Sequence, residues 1–232
     1  MSESGVRELL AQSPLFAGLP PSSLDDVLQA VNLRMLPAKT VLFHQGDAPK
    51  ELIVLGKGIV KVWQMRAGGD PATIHMLGPG DLVGAVAVFR QIPFPATATA
   101  VTDCILLSWA AARTNELMER YPAIRANALD YVGARTEELV HRLGEMATEQ
   151  VEQRVARALL RLADQTGRAA PEGIEIGYPL SRQDIAEIVG TDLYVVSRVL
   201  RDWAARGLVV TGRLRVVLCN RQQLERIARE GG

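Results

Sequence analysis

The stretch from Pro179 to Arg215, PLSRQDIAEIVGTDLYVVSRVLRDWAARGLVVTGRLR, constrains this chain more than any other. Ser181 can cap a helix, and Asp184, three residues on, can reach back to the cap's own amide. This capping box opens the apolar pattern Ile185, Ile188, Val189. Gly190 then ends the helix. Thr191 or Asp192 can cap a second helix at once, on which Val196, Leu200 and Trp203 recur at i, i+4 and i+7, the spacing of one buried stripe. Tyr194, Ser197, Arg198 and Arg201 recur at i, i+3, i+4 and i+7 on the opposite side. A docked helix that projects an aromatic ring, a hydroxyl and two guanidiniums together has what the major groove of DNA requires. Past Gly207, apolar and basic residues alternate around a glycine turn in LVVTGRLRVVL, so a short hairpin with Arg213 and Arg215 on the phosphates is expected. Ser181, Arg182, Thr191 and Leu193 complete the predicted DNA-contact set. A helical hairpin with a merely solvated basic face would use the same helices. The order of cap, glycine turn, exposed Ser-Arg and basic wing favours the DNA reading.

Composition limits the alternatives. The 26 basic residues balance 26 acidic ones, so no whole-chain field draws the protein to a polyanion and any such attraction is local. From Glu149 onward 13 Arg face 11 Asp and Glu, with no Lys, a modest excess. Cys104 and Cys219 are the only cysteines, which suits a reducing cytoplasm and supplies neither a disulfide framework nor a zinc spacing. No apolar run approaches the roughly 18 residues of a membrane span. The start, MSESGVRELL, lacks the basic flank and apolar core of a signal peptide. A cytoplasmic protein without a membrane partner is expected.

At 232 residues the chain is long enough for two cores. SPLFAGLPPSSLDDVLQAV predicts a short helix, a Pro-Pro break and a second helix capped by Ser22 or Ser23. From Thr40 to Trp109, short β-rich runs alternate with turn signals: TVLF, HQGD, LIVLG, KGIVKVW, AGGDP, ATIHML, GPGD, ATATAV and CILLSW. That rhythm is an all-β roll, with Trp63 and Trp109 in its core. Ala111 to Gly144 reads as helix, broken once at Pro122. Within it Leu129, Val132, Thr136, Leu139, Leu143 and Met146 alternate spacings of three and four, a heptad seam. The economical partner is the same helix in a second copy; the alternative is packing on its own roll. Glu149 to Gln165 reads as a further amphipathic helix, TGRAAPEG as a loop, and IEIGYPL as a short strand into the motif above. The expected class is α+β: a sensory jelly-roll over 1–120, a dimerisation helix over 121–148 and a winged helix-turn-helix over 149–232.

These parts in this order resemble the cyclic-AMP receptor protein and fumarate-nitrate reductase regulator family of transcription factors. The resemblance spans nearly the whole chain, through SPLFAGLP, VLFHQGD, LGKGIVKVW, GPGDLVG, PATATA and, most specifically, LSRQDIAEIVGTDLYVVSRVLRDW. It implies a homodimer on an inverted-repeat duplex, with Tyr194, Ser197 and Arg198 at the base-reading positions and RNA polymerase as a partner. Ser-Arg resembles the fumarate-nitrate branch. Tyr194 departs from the glutamate usual there, and a phenol cannot accept as an anion at neutral pH.

The sensory half departs further. Cyclic-nucleotide binders of the family carry Gly-Glu for the ribose and Arg-Ser or Arg-Thr for the phosphate; the matching positions here are Gly84-Ala85 and Phe94-Pro95. A buried phosphate would lack its counter-charge, which argues against cyclic AMP. Two cysteines cannot hold a four-thiolate cluster in one subunit. The stretch GDLVGAVAVFRQIPFPATATA is similar to the nitric-oxide and denitrification regulators, some of which bind haem. His75, before GPGD, is the first candidate for an axial ligand, ahead of His44 in a turn and His141 on the outer side of the long helix. A small apolar effector is equally open, in a pocket of Val83, Gly84, Ala85, Val86, Val88, Phe89, Phe94, Pro95 and Thr97. A roll that only dimerises is a third reading. Catalysis on a cupin-like roll would need a histidine-carboxylate metal set, and neither that set nor GxSxG, a Walker loop or HExxH is present.

Overall fold

The computed structural model describes residues 3–65 and 69–230. Its elements run, up to residue 148, as α1 (Glu3–Gln12), a 3-10 turn (Pro14–Phe16), α2 (Pro21–Gln29), β1 (Asn32–Leu36), β2 (Val41–Phe43), β3 (Glu51–Lys57), β4 (Val60–Met65), β5 (Pro71–Leu77), β6 (Leu82–Val83), α3 (Ala85–Arg90), β7 (Thr97–Ala100), β8 (Cys104–Ala110), α4 (Ala111–Arg120) and α5 (Pro122–Thr148). Beyond it follow α6 (Val151–Thr166), β9 (Arg168–Ala170), β10 (Gly173–Glu175), α7 (Arg182–Val189), α8 (Leu193–Ala205), β11 (Val209–Thr211), β12 (Val216–Leu218) and α9 (Arg221–Glu230). The chain divides into two compact units, Met1–Gln64 with Met76–Glu138, and Met65–His75 with Leu139–Gly232.

The strands before residue 111 form two antiparallel sheets, in the orders β1-β8-β3-β6 and β2-β7-β4-β5. The near-continuous apolar runs of β3 and β8 follow from burial on both faces. Successive side chains of a strand point to opposite sides, so Leu52, Val54, Leu107 and Trp109 pack against Leu10, Phe16, Val27, Leu117 and Ile124 of the helices. Their neighbours Ile53, Leu55, Cys104 and Leu106 pack with Phe43, Val60 and Ala98 of the other sheet. Trp109 is the anchor of the helical side: it is 1% exposed and its indole N–H donates to the Val27 carbonyl at 2.9 Å. Trp63 is only half-buried, its indole donating to Thr99 Oγ1 at 3.0 Å.

Several local readings shift. The polar start is a helix, α1, held by Val6 and Leu10 in the core. The second helix begins at Pro21, not after a serine cap, because proline's fixed φ suits the first helical turn, and Ser23 is buried inside it. NLRML is an edge strand, β1, although Leu33 and Met35 face outward; its pairing with β8 is the ladder Asn32 to Leu36 against Ser108 to Cys104. The turn expected at AGGDP falls partly outside the described residues.

In the second unit α6 packs on α9 and α7, and α7 on α8. Val155, Leu159, Ile185, Val196, Leu200, Trp203, Leu224 and Ile227 form its interior, each under 2% exposed. A sheet ordered β11-β12-β10-β9 closes the other side. TGRAAPEG, read as a loop, supplies β9 and the turn of a hairpin with β10, paired as Gly173 with Ala170 and Glu175 with Arg168.

Candidate nucleic-acid interface

Local chemistry builds the helix-turn-helix. Ser181 Oγ accepts from the Asp184 amide at 3.0 Å while the Asp184 carboxylate accepts from the Ser181 amide at 3.0 Å, the reciprocal box that starts α7. Gly190 ends α7 in the left-handed region at φ +70°, where a side chain would strain the turn, and the Thr191 amide reaches back to the Ala186 carbonyl at 3.1 Å. Of the two caps offered for α8, Asp192 serves, accepting from the Val195 amide at 2.9 Å. Val196, Leu200 and Trp203 are each 0% exposed, which fixes the rotation of α8 about its axis. The opposite face therefore points outward: Tyr194, 84% exposed, with Arg198 and Arg201 exposed and Ser197 half-buried.

The wing is β11 and β12, closed by the Gly212 amide donating to the Arg215 carbonyl at 2.8 Å. A groove of about 470 Å³ separates it from the helices. Ser181, Arg182 and Gln183 line it at the start of α7, Leu193 at the start of α8, and Thr211, Gly212 and Arg213 on the wing. Thr191 is half-buried in the turn. The two wing arginines differ. Arg213 is exposed, whereas Arg215 is held by Glu175 at 3.0 Å and Glu172 at 3.1 Å, so it is committed to the β9–β10 hairpin rather than free for phosphates. Arg215 draws the Glu172 carboxyl below its ordinary range, and Arg168 with Arg215 does the same to Glu175. A carboxyl depressed in the folded state stabilises above its unfolded pKa and stops doing so as pH falls through the folded value, so the clamp is intact at neutral pH. Sequence spacing could not separate the two arginines, since the acids sit 40 and 43 residues away.

Along α5, Ile124, Ala128 and Tyr131 are buried in the roll's core. Leu129 (70%), Leu139 (36%), Leu143 (66%) and Met146 (51%) are exposed, Thr136 is exposed and bonded to the Val132 carbonyl, and Val132 is half-buried. Val140, 63% exposed and absent from the predicted seam, widens the stripe; its place beside Leu139 was the available signal.

The predicted effector residues divide between two hydrophobic clusters and the surface. Val83 and Phe94 belong to the cluster between the sheets, whereas Ala85 and Phe89 pack with the helices. Val86 and Pro95 are exposed, and Thr97 is buried, its Oγ1 accepting from the Gln45 amide at 3.1 Å. Within α3, Ala85, Val88 and Phe89 turn to the helical core and Ala87 to the core between the sheets, while Val86 and Arg90 are exposed. Phe94 stacks on Phe43 with ring centroids 3.6 Å apart and planes 7° from parallel. Gly84, at φ +76°, makes the room, since a Cβ there would lie 2.5 Å from Phe94 Cε1.

For a metal or haem the donors are sparse. His44 is exposed beside Asp47, His141 is exposed, and His75 is half-buried in β5. Burial pushes the Cys104 thiol up, away from the thiolate a metal needs. Among the described residues no three His, Cys, Asp or Glu side chains converge to hold a metal ion.

A two-sheet roll followed by a long helix and a winged helix-turn-helix with an outward cationic face defines a DNA-binding regulator with a sensory-type domain. The cyclic nucleotide-binding domain family matches residues 33–121, and the Crp-like helix-turn-helix domain family matches residues 153–227. The chain is 32% identical to a protein of Thermus thermophilus named cyclic AMP receptor protein, over 93% of this chain and 97% of that one. It is 25% identical to the CRP-like cAMP-activated global transcriptional regulator of Mycobacterium tuberculosis, over 96% of this chain and 99% of that one. It shares its fold with the c-di-GMP responsive global regulator CLP of Xanthomonas campestris, at a TM-score of 0.75 and 22% identity over 87% of this chain and 100% of that one. The chain belongs to the CRP/FNR family of transcription factors. Among the described residues no helix is long and apolar enough to cross a membrane.

Proposed function

We propose that this chain is a cytoplasmic, homodimeric regulator that binds an inverted-repeat duplex, acts with RNA polymerase, and answers through its roll to an effector other than cyclic AMP or an iron-sulfur cluster. The observation that carries the DNA half is the outward face of α8, with Tyr194, Ser197, Arg198 and Arg201 beside Arg213 of the wing. The roll over 1–120 senses, α5 within 121–148 dimerises, and 149–232 binds DNA.

The names of the relatives point to cyclic AMP; the residues point away from it. The position expected to carry a phosphate-binding arginine holds Phe94, 5% exposed and stacked on Phe43, and Ala85 stands where a ribose-binding glutamate is expected. Burying a phosphate without a counter-charge costs several kcal/mol, on the order of a full ion pair's worth. A neutral or apolar effector, or a gas carried by haem, fits better, which aligns the chain with the fumarate-nitrate and denitrification side of its family. The second reading is a constitutive regulator whose roll only dimerises, and the same aromatic stack favours it. The test is duplex selection with ligand-free protein, followed by fluorescence anisotropy on the selected site with and without cyclic AMP, and visible absorption with added haem. Selection of no sequence overturns the DNA half. Strengthening of specific binding by micromolar cyclic AMP overturns the effector half, and full affinity that no ligand alters favours the constitutive reading.

A further inference from the structure

We infer that Tyr194 reads the 5-methyl group of a thymine, so that each half-site carries a thymine opposite the first turn of α8. The inference rests on the DNA reading above and names what one position of that face recognises. Val196, Leu200 and Trp203 are fully buried and leave α8 no freedom to roll, so the Tyr194 ring stands out from the helix with 84% of its surface exposed. Leu193, the residue before it, is 38% exposed and carries no donor or acceptor, so the first turn of α8 meets its target with apolar surface. The remainder of the face is polar or cationic: Ser197 and Arg198 lie one turn further along the helix, and Arg182 and Arg213 flank the groove at its side.

The edges of base pairs in the major groove are donors and acceptors with one exception. Guanine shows N7 and O6, adenine N7 and its amino group, cytosine its amino group, and thymine O4 together with a methyl. A phenol ring laid on an amino group or a ring nitrogen strips its water and returns at most one hydrogen bond. Laid on the methyl, it removes apolar surface on both sides from water. An exposed aromatic at this point of the helix therefore discriminates by methyl contact, while Arg198 remains the donor for a guanine elsewhere in the half-site.

The experiment changes the DNA and leaves the protein intact. Full-length protein selects duplexes from a random pool, and each thymine of the selected half-site is then replaced, one symmetric pair at a time, by deoxyuridine, which keeps the base pairing and every hydrogen-bonding group. One pair is expected to weaken binding about fourfold per lost methyl, and more than about tenfold for both half-sites. Tyr194→Phe should keep this dependence and Tyr194→Ala should abolish it. Tyr194→Glu should move the selected base to cytosine, whose amino group a carboxylate accepts. Because the side chain is exposed, all three variants should melt with the parent protein. A selected site that binds equally well with deoxyuridine at every position overturns the inference and leaves the DNA reading standing, as does a methyl dependence that survives in Tyr194→Ala. A protein that selects no sequence overturns the DNA reading itself.

Discussion

Arg198, Arg213 and Arg215 look alike in sequence and have three different surroundings. Arg198 projects from the reading face of α8, so Arg198→Ala should cost about 1 to 3 kcal/mol on the selected duplex and relax preference at one base pair. Equal loss on cognate and scrambled DNA would make it a phosphate contact. Arg213→Ala should weaken all sequences alike and reduce the slope of log affinity against log salt by about 1. Arg215→Ala should leave DNA affinity nearly unchanged, because Glu172 and Glu175 already occupy its guanidinium. Gly84 is the residue-scale constraint in the roll. Gly84→Ala places a Cβ in the left-handed region, 2.5 Å from Phe94 Cε1 and 3.2 Å from Phe43 Cζ. A loss of about 1 to 3 kcal/mol in urea unfolding is expected, with a smaller loss in a Phe94→Ala background, where the clash is gone. Equal losses in both backgrounds would place the strain in the backbone or against Phe43 rather than against Phe94.

At the scale of elements, α5 shows how far a periodicity carries. Its heptad alternation and its break at Pro122 are legible in the sequence, and Leu129, Leu139, Leu143 and Met146 are exposed while Val132 is half-buried. In the proposed dimer Leu139→Asp puts a carboxylate at the centre of that stripe opposite its own symmetry mate, and should convert a dimer into a monomer in sedimentation at micromolar concentration. A variant that still sediments as a dimer would locate the interface elsewhere. The strand β10 was legible at the start of IEIGYPL, whereas its partner β9 and the helix α9 were not. β9 is RAA, three residues with no alternation, and exists because Glu175 and Arg168 pair across it and β12 flanks β10. The helix RQQLERIARE is polar at seven of its positions and folds as α9 because Leu224, Ile227 and Ala228 reach the face of α6.

At the scale of the whole molecule, the proposed dimer shares a two-fold axis with its DNA, so its half-sites should lie one helical turn apart, roughly 34 to 36 Å. Inserting five base pairs between them rotates one half-site by about half a turn, and should reduce affinity towards that of a single half-site. Undiminished binding to the lengthened site would show that the subunits read independently. An effector can move such a dimer only by its difference in affinity for two arrangements, typically worth about 1 to 3 kcal/mol, and operator DNA must tighten the effector by the same factor.

The sequence by itself determined the elements whose causes are local: the Ser181–Asp184 box, the Gly190 stop, the stripe of α8, the long helix after Pro122, and the strand rhythm of the roll. Each rests on residues a few positions apart, so spacing alone carries the physics. Only the tertiary structure decided which wing arginine is held by acids and where the expected effector residues go. Those outcomes turn on contacts between residues distant in the chain: Glu172 and Glu175 with Arg215, and Phe43 with Phe94 over Gly84. A stretch such as GAVAVFRQIPFP is apolar enough to line a pocket or to fill one. In the fold it packs against two separate cores, with Phe94 between the sheets and Phe89 among the helices.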